Sequence, residues 1–264
     1  MNDATLTLAR EPLVNRKHLP FTLDDGLGAR ARIGLIVLAP DNTVEHEWRQ
    51  VLGPLPGVAY YESRIPMAVQ VTPETLAAME KDIEAAARLI LPNGRMDVLA
   101  YGCTSGTCVI GEEQVFAKLR RARPAIACTT PITAAVAGMK ALGARRIALL
   151  TPYVDSVNQI MRKFIEERGV EVPVVGSFNN DDDGEVARMT PACVRDAAIE
   201  LAGHKAVDAV FVSCTSLRTA EIVKDIEAAT GKPASGSNHA MAWHALRLAG
   251  VKDKLPGWGR LFTV

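Results

Sequence analysis

The chain has 264 residues, which is enough to bury a sizeable core in one large domain or two smaller ones. Its 30 Lys and Arg balance 30 Asp and Glu and are mixed along the chain, so no net field favours nucleic acid or a membrane surface. No apolar run approaches a membrane span and the N-terminus lacks the apolar core of a signal peptide, which predicts a cytoplasmic protein.

The first 30 residues are polar and weakly periodic, and we interpret them as an N-terminal extension or cap. From Arg32 onward, apolar strands alternate with amphipathic helices. The predicted strands are RIGLIVLAP, DVLAYG, AIAC, RIALLTP, VPVVGSF and DAVFVS. The predicted helices are VTPETLAAMEKDIEAAARLI, EEQVFAKLRRA, PITAAVAGMKALG, DSVNQIMRKFIEERG, TPACVRDAAIELAG, RTAEIVKDIEAATG and NHAMAWHALRLAG. This alternation predicts an α/β fold with parallel sheets covered by helices on both faces.

Two of these helices carry local signals. In the first, Thr72 is the predicted N-cap, Pro73 occupies the first helical position and Glu74 lies in the first turn. In PITAAVAGMKALG the apolar residues leave a face that could pack against a second copy of the chain, so a homo-oligomer is one expectation.

A repeat runs through the chain. DVLAYGCTSGT and DAVFVSCTSLRT each end an apolar strand with Cys-Thr-Ser, at Cys103 and Cys214, and the two cysteines follow Asp97 and Asp208 by six residues. Upstream of them, RIGLIVLAPDN is similar to RIALLTPYVD. The shared strand, spacing and motif predict an internal duplication.

A duplication predicts two similar Rossmann-like lobes related by a pseudo-twofold axis. We expect residues 1–30 to be the extension, residues 31–130 with 236–264 the first lobe, and residues 131–235 the second lobe. Ligands of open α/β sheets bind beyond the carboxyl ends of the strands. The active site is therefore predicted between the lobes, with Cys103 and Cys214 on opposite walls.

The chemistry of the predicted site follows from these cysteines. Each cysteine lies between the end of a strand and the start of a helix. The N-terminus of a helix lowers the pKa of a thiol and binds carboxylates. Hydroxyl donors follow in the same loops: Thr104, Ser105, Thr107, Thr215, Ser216 and Thr219. Such a site suits a small anionic substrate, either by proton transfer between two thiols or by addition of one thiol to a double bond.

Other signals are weak. The G-x-G of DDGLGARARIG precedes its strand and no phosphate-binding loop is present, so no cofactor and no metal are expected. The acidic run from Asp181 to Asp183 is interpreted as a solvated turn rather than a cation site. The odd number of cysteines predicts free thiols, and Cys108, Cys128 and Cys193 are expected to be buried structural residues.

Taken together, LIVLAPDNTVE, AYGCTSGT, TPYVDSVN, FVSCTSLRT and KPASGSNHAMAWHALRLAG resemble the aspartate/glutamate racemase superfamily, in its branch of maleate cis-trans isomerases and arylmalonate decarboxylases. The resemblance extends from about Arg32 to the C-terminus. The run DDGLGARARIGLIVLAPDNTVEHEWR is also similar to a subgroup associated with ectoine utilisation, which implies a four-carbon acid other than maleate as an alternative substrate.

The resemblance implies site residues. Asn42 and the hydroxyl of Tyr153 would bind a substrate carboxylate, and so would an Asn that matches either Asn179 or Asn180; we place it at Asn180. The backbone and side chains of Thr104, Ser105, Thr215 and Ser216 would complete the substrate site.

The resemblance also implies an activity. Arylmalonate decarboxylases resemble this chain but carry glycine in place of Cys103, so the pair of cysteines favours an isomerase. A cofactor-independent isomerase of a small dicarboxylic acid, of the maleate-to-fumarate type, would use Cys103 as nucleophile and Cys214 as proton donor and acceptor. The alternative is a racemase of an amino or hydroxy acid, with the same two cysteines as its acid and base. The expected partner is a small anionic carboxylate, without nucleic acid or membrane.

Overall fold

The computed structural model describes residues 14–264; residues 1–13, which belong to the predicted extension, lie outside the described part. Residues 14–30 contain no helix or strand and are mostly exposed. Among the described residues, no helix is long and apolar enough to cross a membrane.

Within residues 14–264, eight parallel strands form two separate sheets of four. The strands are β1 (Ala31–Leu38), β2 (Val58–Ile65), β3 (Val98–Tyr101), β4 (Ala127–Thr129), β5 (Arg146–Thr151), β6 (Glu171–Ser177), β7 (Ala209–Val212) and β8 (Ala234–Gly236). The strand order is β2-β1-β3-β4 in one sheet and β6-β5-β7-β8 in the other. The identical order confirms the predicted α/β fold of two similar lobes. The predicted domain boundaries stay a prediction.

Helices cover both sheets. They are α1 (Val44–Leu52), α2 (Pro73–Ala78), α3 (Glu80–Leu89), α4 (Thr104–Ile110), α5 (Glu112–Ala122), α6 (Pro131–Ala141), α7 (Asp155–Glu166), α8 (Asp183–Val186), α9 (Pro191–Ala202), α10 (Val223–Thr230) and α11 (Ser237–Leu248). Short 3-10 helices follow at Ala220–Ile222, Pro256–Trp258 and Arg260–Thr263. The strands nearest the centre, such as β3 and β7, are buried throughout, as parallel sheets with two covered faces require.

The aspartate that opens each repeat has the same role in both lobes. A side-chain oxygen of Asp97 accepts the backbone N–H of Arg32 at 2.8 Å, where β1 begins. Asp208 accepts the backbone N–H of Arg146 at 3.0 Å, where β5 begins. The motif therefore joins the start of the central strand to the strand that carries the cysteine, once in each sheet.

The cap predicted at the start of the first of these helices is confirmed. Thr72 caps α2 by accepting the N–H of Thr75, and Pro73 opens the helix; the predicted single helix is interrupted at Met79. Helix α6 packs against α11 of the same chain, and the possible homo-oligomer stays a prediction.

The structure adds elements that the sequence patterns did not predict. β2 is half-buried with polar residues in its run, and β8 has only three small residues, so neither shows a strong apolar pattern. Helices α1, α4 and α8 are also additional.

The lobes are joined by main-chain contacts. The segment before α2 forms an isolated antiparallel bridge between Gln70 and Asp182, and the N–H of Val71 donates to the carbonyl of Asp181 at 3.1 Å. The loop that leads into α8 is therefore fixed to the first lobe.

Candidate active site

The first cysteine lies at the turn from β3 into α4. Cys103 is the N-cap of α4, and its Sγ accepts the backbone N–H of Gly106 at 3.2 Å. The hydroxyl of Thr107 donates to the carbonyl of Cys103 at 2.6 Å. A Cβ at position 106 would lie 2.7 Å from the sulfur, so glycine is required for this close approach. Cys103 is thus held in a buried helix-capping position.

The second cysteine follows β7 in a loop of different shape. Its Sγ accepts the N–H of Ser216 at 3.4 Å, and its φ of +154° is unusual for a residue with a side chain. The helix predicted from Arg218 begins at Ala220 as a 3-10 turn, so no helix starts directly after Cys214 as α4 does after Cys103. The N–H groups around this thiol therefore come from a tight loop instead of a helix terminus.

Ser237, the first residue of α11, joins the two cysteine loops. Its hydroxyl lies 2.8 Å from the hydroxyl of Thr104 and accepts the backbone N–H of Cys214 at 3.0 Å. All three residues are buried. The structure thus brings the two Cys-Thr-Ser loops together, although sequence reasoning did not single out Ser237.

Tyr153 lies between the same loops, just after β5. Its backbone N–H donates to Thr151 and its carbonyl accepts the amide of Asn158, so its main chain is fixed. Burial holds the pKa of the phenol well above its usual range, and so does the negative charge of an ionised Cys214 or Cys103. Tyr153 is therefore a neutral hydroxyl close to both thiols.

Burial disfavours the charged form of both thiols. Burial raises the pKa of Cys103 to about 12, and the N–H of Gly106 opposes this effect only in part. Burial also raises the pKa of Cys214 to about 12. The expectation of thiols with lowered pKa is wrong for this closed site, because loss of water outweighs the backbone donors.

Two buried carboxylates lie beside the thiols, and sequence reasoning missed both. Asp41 follows β1 and is 2% exposed, and Asp183 begins α8 and is 6% exposed. The prediction of a solvated turn is wrong for Asp183, whose side chain accepts a hydrogen bond from the hydroxyl of Ser216 at 2.7 Å. The charge of Asp183 raises the pKa of both cysteines, and Asp41 adds to the effect at Cys214. In the sequence, Asp41 was marked by its position soon after a predicted strand, whereas the run that contains Asp183 gave no such signal.

Glu47 of α1 organises the loop after the second cysteine. One carboxylate oxygen accepts the N–H groups of Thr219 at 2.6 Å and Ala220 at 2.7 Å, and the other accepts the amide of Asn238 at 2.8 Å. Burial raises the pKa of Glu47 to about 7, against the effect of these donors. Sequence patterns gave no indication of this contact between distant segments.

The remaining predicted substrate residues are placed as follows. The side chains that follow the cysteines are buried in the cleft: Thr104, Ser105, Thr215 and Ser216. Asn42 is exposed beside Asp41. The side-chain N–H of Asn180 donates to Glu185 at 2.8 Å, and its Oδ1 accepts the backbone N–H of Asp182 at 2.9 Å. The side chain of Asn180 therefore stabilises the loop to which it belongs. Asn179 is exposed and has a φ of +50°.

The other three thiols lie apart from this arrangement. All five cysteines are free, as predicted. Cys128 is buried and Cys108 partly buried, but Cys193 is exposed on α9, so its predicted burial is wrong.

Two parallel-sheet lobes of identical strand order, with one cysteine loop each and the two loops in contact, define the class of the aspartate/glutamate racemase superfamily. The chain belongs to the arylmalonate decarboxylase family, whose profile matches residues 33–262. It is 34% identical over 200 residues to arylmalonate decarboxylase of Bordetella bronchiseptica, covering 73% of this chain and 81% of that protein.

Maleate isomerases are further relatives. Maleate isomerase of Pseudomonas putida KT2440 is 29% identical over 247 residues, which cover 88% of this chain and 97% of that one. A mutant of maleate cis-trans isomerase of Nocardia farcinica, solved with a covalently bound succinylcysteine intermediate, superposes with a TM-score of 0.80 at 28% identity and covers 88% of this chain and 98% of that chain. The predicted branch of the superfamily and the prediction of an isomerase are confirmed.

Proposed function

We propose that this protein is a cofactor-independent isomerase of a small carboxylic acid, with a reaction of the maleate-to-fumarate type. The observation that supports it most directly is the meeting of two cysteine loops on Ser237, in a chain whose relatives include maleate isomerases. A neighbouring structure contains a succinylcysteine, which is the adduct expected when a thiol adds to maleate.

In the proposed reaction the thiol of Cys103 gives its proton to solvent water, and the thiolate adds to one alkene carbon, forming a C–S bond as the π bond of the alkene breaks. The thiol of Cys214 donates its proton to the adjacent carbon. Rotation about the new single bond follows. Cys214 then takes back a proton from that carbon, the C–S bond breaks and the double bond forms again. The trans acid leaves and the thiolate of Cys103 regains a proton from water, so no atom or electron is gained or lost overall.

The same groups stabilise the charge that develops. Addition to an unsaturated carboxylate places negative charge on the carboxylate end, where preorganised donors are most effective. We assign Tyr153 and the N–H groups that follow each cysteine as the donors to this carboxylate. Asn42 and Asn180 are proposed as further donors to the substrate, although their contacts with the cysteine loops are less direct.

A racemase is the second candidate, because the two thiols are similar. Both are almost fully buried, each accepts one backbone N–H, and the pKa of each is raised to about 12. Such a symmetric pair suits removal of a proton from one face of a carbon and its return from the other.

The test is proton NMR in deuterated buffer with maleate, and separately with aspartate. Wild type and the exposed-thiol control Cys193→Ser should form fumarate, whereas Cys103→Ser and Cys214→Ser should lose about 10²–10⁴-fold in rate. In Cys214→Ser, peptide mass spectrometry should find one succinyl group on Cys103. Full activity of either cysteine variant contradicts the two-thiol reaction, and deuterium at the α-carbon of aspartate without fumarate formation favours the racemase.

A further inference from the structure

A buried tyrosine that the proposed reaction does not use lies beside the first cysteine. Tyr101 is the last residue of β3 and is fully buried. Cys103 follows two residues later and has an extended backbone. Side chains two residues apart on an extended chain point to the same face. The phenol and the thiol therefore project to the same side of the chain.

The hydroxyl of Tyr101 and the sulfur of Cys103 both lie against Gly106. A Cβ at this glycine would lie 2.7 Å from the sulfur and 3.0 Å from the phenol oxygen. Both atoms therefore border the small space that the missing side chain of Gly106 leaves open. A hydrogen bond from the phenol acts to lower the pKa of the thiol, against the effect of burial.

The hydroxyl has a weak partner while Cys103 is a neutral thiol. It donates to Sδ of Met79 at 3.9 Å. A thioether is a weak acceptor, whereas a buried phenol hydroxyl usually has a good one. An ionised thiol is a stronger acceptor, because charge-assisted hydrogen bonds are about twice as strong as neutral ones. Ionisation of Cys103 therefore offers the hydroxyl of Tyr101 a better partner than Met79.

At the equivalent position of the second repeat, an apolar side chain replaces the phenol. The residue two positions before Cys214 is Val212, which ends β7. Tyr153 lies close to both thiols, so it does not distinguish them. Tyr101 is therefore a difference between the two repeats that favours the ionised form of Cys103 over that of Cys214.

We propose that the hydroxyl of Tyr101 turns from Met79 to the sulfur of Cys103 when this thiol ionises, and that this hydrogen bond makes Cys103 the nucleophile of the pair. The phenol keeps its own proton, because burial and the charge of an ionised Cys103 hold its pKa well above the usual range. The role of nucleophile rests on the proposed function, whereas the hydrogen bond can be tested without a substrate.

Alkylation by iodoacetamide, followed at each cysteine by peptide mass spectrometry, tests the hydrogen bond. Tyr101→Phe removes only the hydroxyl. Loss of a charge-assisted hydrogen bond lowers the thiolate fraction by about tenfold or more. The more basic thiolate that remains is also more nucleophilic, so between pH 7.5 and 9.5 alkylation of Cys103 should become about three- to tenfold slower. The rate at Cys214 should not change.

Tyr60→Phe is the matched control. It removes a phenol hydroxyl that donates to the carbonyl of Glu45 at 3.2 Å, on β2, and should leave the alkylation rate of Cys103 unchanged. Met79→Leu removes the competing acceptor with little change in volume, and Cys103 should then react at least as fast as in wild type. If Tyr101 served packing alone, Tyr101→Phe would change the rates at Cys103 and Cys214 together.

Turnover of maleate separates this inference from the proposed function. In Tyr101→Phe, kcat should fall about three- to tenfold with little change in KM, because the phenol contacts the sulfur and not the substrate. Unchanged alkylation of Cys103 in this variant, or an equal change at both cysteines, overturns the inference even if maleate is converted. Slower alkylation of Cys103 alone, in a protein that does not convert maleate, supports the hydrogen bond and contradicts the proposed function.

Discussion

Replacing Ser237 with alanine tests whether the contact between the two cysteine loops holds the site together. The change removes one hydroxyl that hydrogen-bonds to Thr104 and accepts the N–H of Cys214. The buried N–H would lose its acceptor, which costs about 1–3 kcal/mol, and the bond to Thr104 contributes about 0.5–1.5 kcal/mol. We expect a loss of about 2–4 kcal/mol in the free energy of unfolding, measured by urea denaturation.

The control is Ser213→Ala, one residue before Cys214. Ser213 is equally buried, but its hydroxyl contacts only the sulfur of Met161, at 3.9 Å. Its removal should change the free energy of unfolding by less than about 1 kcal/mol. In the Ser237 variant, the turnover rate should fall about tenfold or more, because small displacements of reacting groups are costly.

A double-mutant cycle separates the two bonds of Ser237. Thr104→Ala and Ser237→Ala break the same hydroxyl contact, so the double variant should lose about 1 kcal/mol less than the sum of the single variants. Strict additivity, or a Ser237 variant as stable as the Ser213 control, would refute the view that this hydroxyl joins the loops.

Three further outcomes are expected. Glu47→Ala leaves buried N–H groups of the second cysteine loop without an acceptor, and should lower the free energy of unfolding in urea by at least about 2 kcal/mol. The control is Glu45→Ala, which removes a partly exposed ion pair and should lower the same free energy by less than about 1 kcal/mol. Gly106→Ala places a Cβ 2.7 Å from the sulfur of Cys103 and should lower the alkylation rate of that thiol or displace it, as peptide mass spectrometry would detect. Burial raises the pKa of Asp41 from 3.8 to about 6, so the folded state binds a proton more tightly than the unfolded state. As the pH rises from 4 to 7, the free energy of unfolding of wild type should fall by up to about 3 kcal/mol relative to that of Asp41→Asn. Parallel pH profiles of the two proteins would contradict this.

Much of the fold was predictable because the strands are apolar and the repeat is regular. The central strands β1, β3, β5 and β7 were all predicted, and the recurrence of Asp-x-x-x-x-x-Cys-Thr-Ser indicated two lobes. β8 was not predicted, because a strand of three small residues has no periodicity to detect. Its position beside β7 depends on pairing with a distant segment.

The candidate site was predictable in its cysteines but not in its charges. A motif that ends two strands marks Cys103 and Cys214, whereas Asp183 stands in a run of three aspartates that is typical of a solvated turn. Its burial depends on Ser216 and on the bridge between Gln70 and Asp182, both remote in sequence. The burial of such a carboxylate can be recognised only from the packing of the two lobes in the folded structure.

The position of Ser237 has a consequence for how the protein is made. Domains fold during synthesis from the N-terminus onward, yet the hydroxyl that joins the cysteine loops belongs to α11, which is synthesised after both cysteines. Until α11 docks against α6, the nascent chain presents Cys103 without its final covering. Newly made chains should therefore be open to thiol oxidation for a short time, whereas the finished protein keeps both thiols buried.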